Sequence, residues 1–377
     1  MDLTFNEAQE ILRKMARDFL TTECPKSMVR ELEDSEKGYS PELWKKMAEL
    51  GWMGLIIPEE YEGIGYSFQD LTVLLEETGR NILPSPLVCT ITSTFPLLDA
   101  GTEEQKKEFL PKITSGEIIL TTALLEAEGT FSASGIAAKA TPKGEDFVLS
   151  GTKLFVEMAH VADYIICATR TKDGASPENG ITLFIVDAKA PGISCEVIPT
   201  IAADKLCEVR FENVLVPKKN MLGELDKGWP LIEKMLEKGA IAKCAESLGG
   251  MQAAVEMTIT YSKDRVQYGR PIGAFQALQH MMADLWTTMT TSRYLVYEAA
   301  WMESEGLPCA KEASMAKAYI NEAYKYVTRW SIRLHGGIGT SRDHDISLYY
   351  LRAKAADTAF GNTDLHRELV AQKIGLL

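Results

Sequence analysis

The chain has 377 residues, with 40 Lys and Arg against 53 Asp and Glu, for a formal net charge of −13. That balance argues against nucleic acid or an anionic membrane as partner, although a local basic site can still hold a phosphate. The hydrophobic fraction of 46% supports a sizeable core, and the length suits about two or three domains. No apolar run of about twenty residues occurs and Met1–Leu20 has no leader pattern, so a cytoplasmic protein is expected. The seven cysteines are scattered without a C-x-x-C, which predicts free thiols in a reducing compartment and neither a disulfide framework nor a zinc site.

Residues 1–118 read as a helical domain. Phe5, Ile11, Leu12, Met15 and Phe19 recur at helical spacing, as do Leu43, Met47, Leu50 and Trp52. Thr4 and Glu7 predict a capping box at the first helix, and Pro58–Gly65 is a turn cluster. Residues 119–222 change period. Ile118–Leu124, Phe147–Leu149, Tyr164–Ala168 and Ile181–Val186 are short β-rich runs, with residues 142–146 placed as a hairpin turn. Strands of this length and spacing predict a small barrel or sandwich. No G-x-G-x-x-G follows a strand, which counts against a nicotinamide Rossmann domain. Residues 223–377 return to helix, with Ala240–Asp264, Ala274–Glu305 and Pro308–Leu334 long enough for a bundle.

Between two of those helices lies YSKDRVQYGRPIGAFQALQH, residues 261–280. Gly269 and Pro271 mark a helix-to-helix corner, because Pro lacks a donor and Gly tolerates unusual backbone angles. A corner carrying Arg265 and Tyr268 can hold a planar anion, and it can equally be surface packing. Arg333–Gly339 contains a second glycine signal, which is either a helix terminus or a place where a ligand approaches bare backbone.

These segments resemble the flavin-dependent acyl-CoA dehydrogenase family over nearly the whole chain. Arg265, Gln267, Tyr268, Gly269, Pro271, Ile272 and Gln276 resemble its R-x-x-F-G-x-x-(I/L)-x-x-x-Q segment. Pro58–Gly65 is similar to P-x-x-Y-G-G-x-G, with Glu62 at a usual Gly, and Thr102–Pro111 is similar to GTEEQK…LP. Ala123–Glu126 resembles A-L-T-E-P, with Leu125 in place of Thr. Lys153–Asp163 resembles K-x-(W/F)-(I/V)-T-x-A-x-x-A-D, with Phe155 kept and Glu157 replacing the Thr. Arg333–Gly339 resembles Q-x-(H/L)-G-G-x-G, with Arg333 replacing the Gln.

The resemblance implies the acyl-CoA dehydrogenase-like fold: an N-terminal helical domain, a middle β-barrel or sandwich, and a C-terminal helical bundle. It implies FAD, an acyl-CoA substrate, an electron-transfer flavoprotein as redox partner, and a tetramer. It implies that Phe155 and Glu157 lie by the flavin ring, with Leu125 nearby. Glu157 then either sets a carboxylate near the ring, where an anion disfavours the anionic reduced flavin, or turns to solvent. Arg265 and Tyr268 are implied to reach the pyrophosphate and adenine end of a neighbouring subunit's FAD, with Gln267 and Gln276 as further implied cofactor contacts. Arg333, His335, Gly336, Gly337, Asn362 and Thr363 complete the implied cofactor contacts.

The family's catalytic Glu, in Y-E-G-T-S-x-x-x-R, falls on Phe360 of Ala359–Arg367. Its alternative position, in the helix before the Arg segment, falls on Gly239. Lys243 and Glu246 lie on a similar helical face beyond Gly239, so Glu246 is either a displaced base or the structural partner of Lys243. Three functions stay open on this reading: an α,β-dehydrogenase with a displaced base, a non-catalytic FAD-holding subunit of a mixed complex, and an elimination or 1,4-dehydrogenation at the same site. The assembly is expected to be a homotetramer or a heterotetramer with a related subunit.

Overall fold

The computed structural model describes residues 4–376. Six helices come first: α1 (Glu7–Glu23), α2 (Lys26–Asp34), α3 (Pro41–Glu49), α4 (Phe68–Asn81), α5 (Leu87–Ala100) and α6 (Glu103–Thr114). The N-terminal capping box is Asn6 with Gln9, not Thr4 with Glu7. Asn6 Oδ1 accepts from Gln9 N at 2.9 Å and Gln9 Oε1 accepts from Asn6 N at 3.1 Å. Asn caps at least as well as Thr, and its neighbour at N3 returns the bond. Thr102 with Gln105 makes the same reciprocal box at α6.

The β segment follows: β1 (Leu120–Ala123), β2 (Lys139–Lys143), β3 (Asp146–Glu157), β4 (Tyr164–Arg170), β5 (Ile181–Asp187), β6 (Ile193–Ile198), β7 (Leu206–Val216) and β8 (Met221–Leu222). They form one sheet in the order β6-β7-β3-β2-β4-β5-β8, with β1 parallel to β4. β2 and β3 are a hairpin whose Gly144-Glu145 turn has Gly144 at φ 67°. β2 meets β4 through a single pair, Lys139 with Arg170, so the sheet folds there and both halves share one core. Ala140, Leu149, Ile165, Phe184, Cys207 and Val209 all bury into it. Along β7, Cys207, Val209 and Phe211 point inward while Arg210 is exposed, the period-2 pattern of a one-sided strand.

The last part is helical: α7 (Trp229–Asp264), α8 (Gln276–Ser304), α9 (Ala310–His335), α10 (Ile346–Thr358) and α11 (Thr363–Lys373). Between α7 and α8 runs a two-stranded hairpin, β9 (Val266–Gln267) and β10 (Arg270–Pro271). The chain divides into two compact units that do not follow its order. One combines the chain up to Glu31, Ser67–Leu83 and the chain from Gly239; the other combines Leu32–Tyr66 with Pro84–Lys238. Inside the first, α4 crosses α7 at bare backbone. A Cβ on Gly79 would lie 1.7 Å from Glu246 O, and one on Gly249 would lie 1.7 Å from Glu76 O. Among the described residues no helix is long and apolar enough to cross a membrane.

Candidate active and cofactor site

In the β unit, the register between β3 and β7 slips between Lys153 and Val156. The slip throws Phe155 into the left-handed region, at φ 56°, and leaves it 47% exposed. Such a φ costs a non-glycine residue about 1–2 kcal/mol. The bulge is held from beneath. Lys153, wholly buried, donates to Leu124 O at 3.1 Å and to Glu126 Oε1 at 2.7 Å. Glu126 Oε1 in turn accepts from the backbone N–H of Ala137 at 3.0 Å and of Ala138 at 2.9 Å. Leu154 N donates to Leu125 O at 2.8 Å, so the Leu125 and Phe155 segments are tied side by side. A buried ion pair with its remaining hydrogen bonds satisfied is the arrangement that can hold strain in place. Lys153 and Glu126 lie 27 residues apart in the chain, so nothing local in the sequence announces their pairing. Glu157 is half-buried, and its backbone carbonyl accepts from Thr121 Oγ1 at 2.6 Å.

In the helical unit, the expected corner is the β9–β10 hairpin. Its two turn residues, Tyr268 at φ 53° and Gly269 at φ 76°, are both left-handed, as a type I′ turn requires. Tyr268 is 91% exposed, and its ring meets that of Phe275 edge-on. Arg265 is exposed, and its guanidinium has no hydrogen bond or ion pair among the described residues. Gln267 donates to its own neighbour, Val266 O, at 2.9 Å, and Gln276 opens α8 on the surface.

Gly336 and Gly337 are exposed, and a Cβ on either would meet nothing within 4 Å. Arg333 lies exposed with its guanidinium 4.6 Å from the Trp330 ring centroid. His335 is placed differently from these neighbours. Its ring is buried, stacked on Tyr261 at 4.5 Å, and Nδ1 donates to Ser331 O at 2.7 Å. Nε2 is therefore the unprotonated nitrogen, and it is buried without a partner among the described residues. Burial pushes this imidazole below its usual pKa, so it is neutral. Asn362 Oδ1 caps α11 by accepting from Leu365 N at 2.9 Å, and Thr363 Oγ1 donates to Asp357 Oδ1 at 3.2 Å.

Phe360 and Gly239 come together. A Cβ on Gly239 would lie 2.3 Å from Phe360 Cε1 and 2.5 Å from Cδ1, so the ring rests on the bare backbone of α7. Both positions that the resemblance associates with a base thus fall at one place, and an aromatic ring fills it. Phe360 sits at φ 55°. His366 Nε2 donates to Phe360 O at 2.9 Å. Lys317, wholly buried on α9, donates to Ala356 O and to Asn321 Oδ1, each at 2.6 Å, and Asn321 Nδ2 reaches Asp357 O at 3.3 Å. These donors satisfy carbonyls at the C-terminus of α10, which α10 cannot satisfy itself. Burial drives the Lys317 pKa down to about 8 and, with Lys317 nearby, that of His366 down to about 4. The single sequence gave no signal for this support of the Phe360 turn.

Glu246 lies where α4 crosses α7, bonded to Lys243 Nζ at 2.5 Å and partly buried with it. It is seven residues beyond Gly239, about 10 Å along the helix.

The open Arg–aromatic hairpin and the bare Gly-Gly backbone, both in the helical unit, have the chemistry to take a nucleotide cofactor. Family models agree on which one. Residues 6–117, 121–214 and 226–375 match, in turn, the N-terminal, middle and C-terminal domains of acyl-CoA dehydrogenase. The chain belongs to the acyl-CoA dehydrogenase family, whose cofactor is FAD. It is 33% identical over 376 residues to the 3-(aryl)acrylate reductase of Clostridium sporogenes, covering 98% of this chain and 99% of that one. It is 31% identical to the caffeyl-CoA reductase–Etf complex subunit CarC of Acetobacterium woodii, covering 97% and 98%. The solved butyryl-CoA dehydrogenase of Megasphaera elsdenii superimposes with a TM-score of 0.93 at 28% identity, covering 99% of this chain and all of that one. The residues present fit an FAD: an unpaired exposed cation, a projecting aromatic, and two glycines with open space above them.

Proposed function

We propose that the chain is an FAD-dependent oxidoreductase acting on the α,β carbon–carbon bond of an acyl-CoA, exchanging electrons with an electron-transfer flavoprotein. The observation that carries the finer reading is the Phe360 ring seated on Gly239. It leaves no carboxylate at either family base position. Bound FAD would supply hydride transfer at the β carbon. The chain's own part is to hold the flavin through Arg265, Tyr268, Gly336 and Gly337, present Phe155 on its bulge, and close the α-carbon end with an apolar ring. Arg265 suits the pyrophosphate because a guanidinium pairs two phosphate oxygens at once. Glu246 stands in this reading as the partner of Lys243.

Reduction of an already unsaturated thioester still adds a proton at the α carbon, but the basic enolate left by hydride addition can take it from water. Removing that proton from a saturated thioester calls for the missing carboxylate, so a site closed in this way favours the reductive direction. Two relatives point the same way, since their names are those of a 3-(aryl)acrylate reductase and a caffeyl-CoA reductase subunit. The second reading is a cofactor-holding subunit whose partner chain carries the base. It is favoured by the same ring, and by the likeness to a steroid enzyme of two named chains, Tcur3481-Tcur3483, at 31% identity and a TM-score of 0.87.

The purified protein tests both. With its flavin reduced, it is mixed with a saturated, an alkenoyl and an arylacryloyl-CoA in turn, and flavin absorption is followed. Reoxidation by an unsaturated thioester supports the first reading. Bound flavin that no thioester oxidises or reduces, until a second chain is co-purified, supports the subunit reading. A protein that takes up no FAD defeats both.

A further inference from the structure

The β unit holds a group of thiols that the acyl-CoA chemistry does not use. Cys207 on β7 is wholly buried, and its Sγ lies 3.6 Å from His160 Nδ1. The other nitrogen of that ring, Nε2, faces the backbone carbonyl of Lys37 at 3.1 Å. A carbonyl only accepts, so Nε2 carries a proton and Nδ1 is the nitrogen free to take one from the thiol. The third member is Cys195 on β6. In the β6–β7 register Cys195 opposes Val209 and Val197 opposes Cys207, so Cys195 and Cys207 share a face as diagonal neighbours. β6 is the sheet's edge strand, and Cys195 is the one exposed cysteine among the described residues.

The pKa directions agree with that geometry. The Cys195 thiol, hydrogen-bonding to Cys207, and then the His160 ring pull the Cys207 thiol down to about 5, and the Cys207 sulfur raises both Cys195 and His160. These directions favour the Cys207 proton moving to the His160 ring, while the accessible Cys195 thiol keeps its own. Three other buried thiols differ: burial, as the main cause, raises Cys24 and Cys167 to about 11 and Cys244 to about 12, which leaves them inert. The three ligand atoms do not converge as a metal site would require, since the one such cluster among the described residues lies elsewhere.

We infer that Cys195 and Cys207, served by His160, form a two-thiol site oxidised reversibly to a disulfide by hydroperoxides. In the first step the Cys207 thiolate takes the Cys195 proton, so that the Cys195 sulfur attacks the O–O bond as a thiolate and becomes the sulfenic acid. The leaving alkoxide takes the His160 proton as the alcohol, and the Cys207 thiol then gives its own proton to that ring. In the second, the Cys207 thiolate attacks the Cys195 sulfur. The S–S bond forms, the S–O bond breaks, and the departing hydroxide takes the His160 proton as water. Two thiols lose two electrons and the peroxide gains them. A thiol reductant reverses the change by exchange. The sulfurs must close from the spacing of diagonal neighbours to a bond, and β6 has a partner on only one side to restrain that shift. The site reaches the flavin-facing segment directly, because Cys207 is the register partner of Val156, the residue after Phe155.

The test uses the full chain as purified, with one equivalent of tert-butyl hydroperoxide, intact mass and a non-reducing peptide map. The expected product is shorter by two hydrogens and carries a Cys195–Cys207 cross-link that a thiol reductant removes. Cys195→Ser abolishes the cross-link. His160→Asn slows it about tenfold or more at neutral pH, because the thiolate population falls. Melting curves confirm that both variants are folded. Should Cys207→Ser fail to fold, the wild-type map and His160→Asn still decide. Cys195 appearing only as a sulfinic acid or a mixed disulfide, or a cross-link whose rate ignores His160, overturns the inference.

Discussion

The two ends of the helical unit's site differ in how its groups are satisfied. At the Gly239–Phe360 end every contact is internal. The ring fills the space above a glycine, His366 bonds the Phe360 carbonyl, and Lys317 and Asn321 bond the carbonyls of α10. At the hairpin end the reverse holds: the Arg265 guanidinium has no partner among the described residues, Tyr268 stands in solvent, and Gly336 and Gly337 have open space. A region complete in itself contributes to folding, whereas one left incomplete is built to be finished by a ligand. On the proposed reading the hairpin end is the cofactor end and keeps residues that resemble the family's, while the Phe360 end departs from them.

That contrast predicts opposite responses. The largest concerns His366, whose pKa is held at about 4 against an ordinary 6.5 by burial and the nearby Lys317 cation. The unfolded chain binds this proton first as pH falls. Stability is therefore full above about pH 6.5 and is lost toward pH 4, by about 3 kcal/mol from this group. Denaturant titrations at several pH values should show that loss in the wild type and a flatter curve in His366→Gln, with FAD affinity at neutral pH unchanged. Next, Arg265→Ala should weaken FAD binding by about 2 kcal/mol, roughly thirtyfold, and leave the apoprotein's melting within about 0.5 kcal/mol of wild type. Equilibrium titration of apoprotein with FAD measures the first, and a denaturant curve the second. Smallest is Gly239→Ala, which should cost about 1–2 kcal/mol by crowding Phe360, and much less when Phe360→Ala is already present. A double-mutant cycle that finds the two costs simply additive would separate these residues and weaken the contrast.

Much of this was legible from residue order. The switch from helical to two-residue period placed the β segment, and the Arg–aromatic and Gly-Gly motifs marked the open end. What escaped notice was set by local competition or by distant pairing. Asn6 displaced Thr4 as the cap because both can serve and only one register leaves Gln9 at the third position. The corner at Gly269 became a hairpin because Tyr268 also accepts a left-handed backbone. His335 belongs to a surface motif, yet its ring turns inward to stack on Tyr261. The seating of Phe360 on Gly239 and the support from Lys317 join helices far apart in the chain, and nothing local announces them.

The central claim is that residue 360 closes the base end, and proton exchange at the α carbon of a saturated acyl-CoA in deuterated water tests it most directly. The wild-type protein with bound flavin should wash in no deuterium, and Phe360→Glu should gain exchange while keeping its flavin. Exchange by the wild-type chain that disappears in Glu246→Gln, with folding intact, would contradict the account and make Glu246 the base.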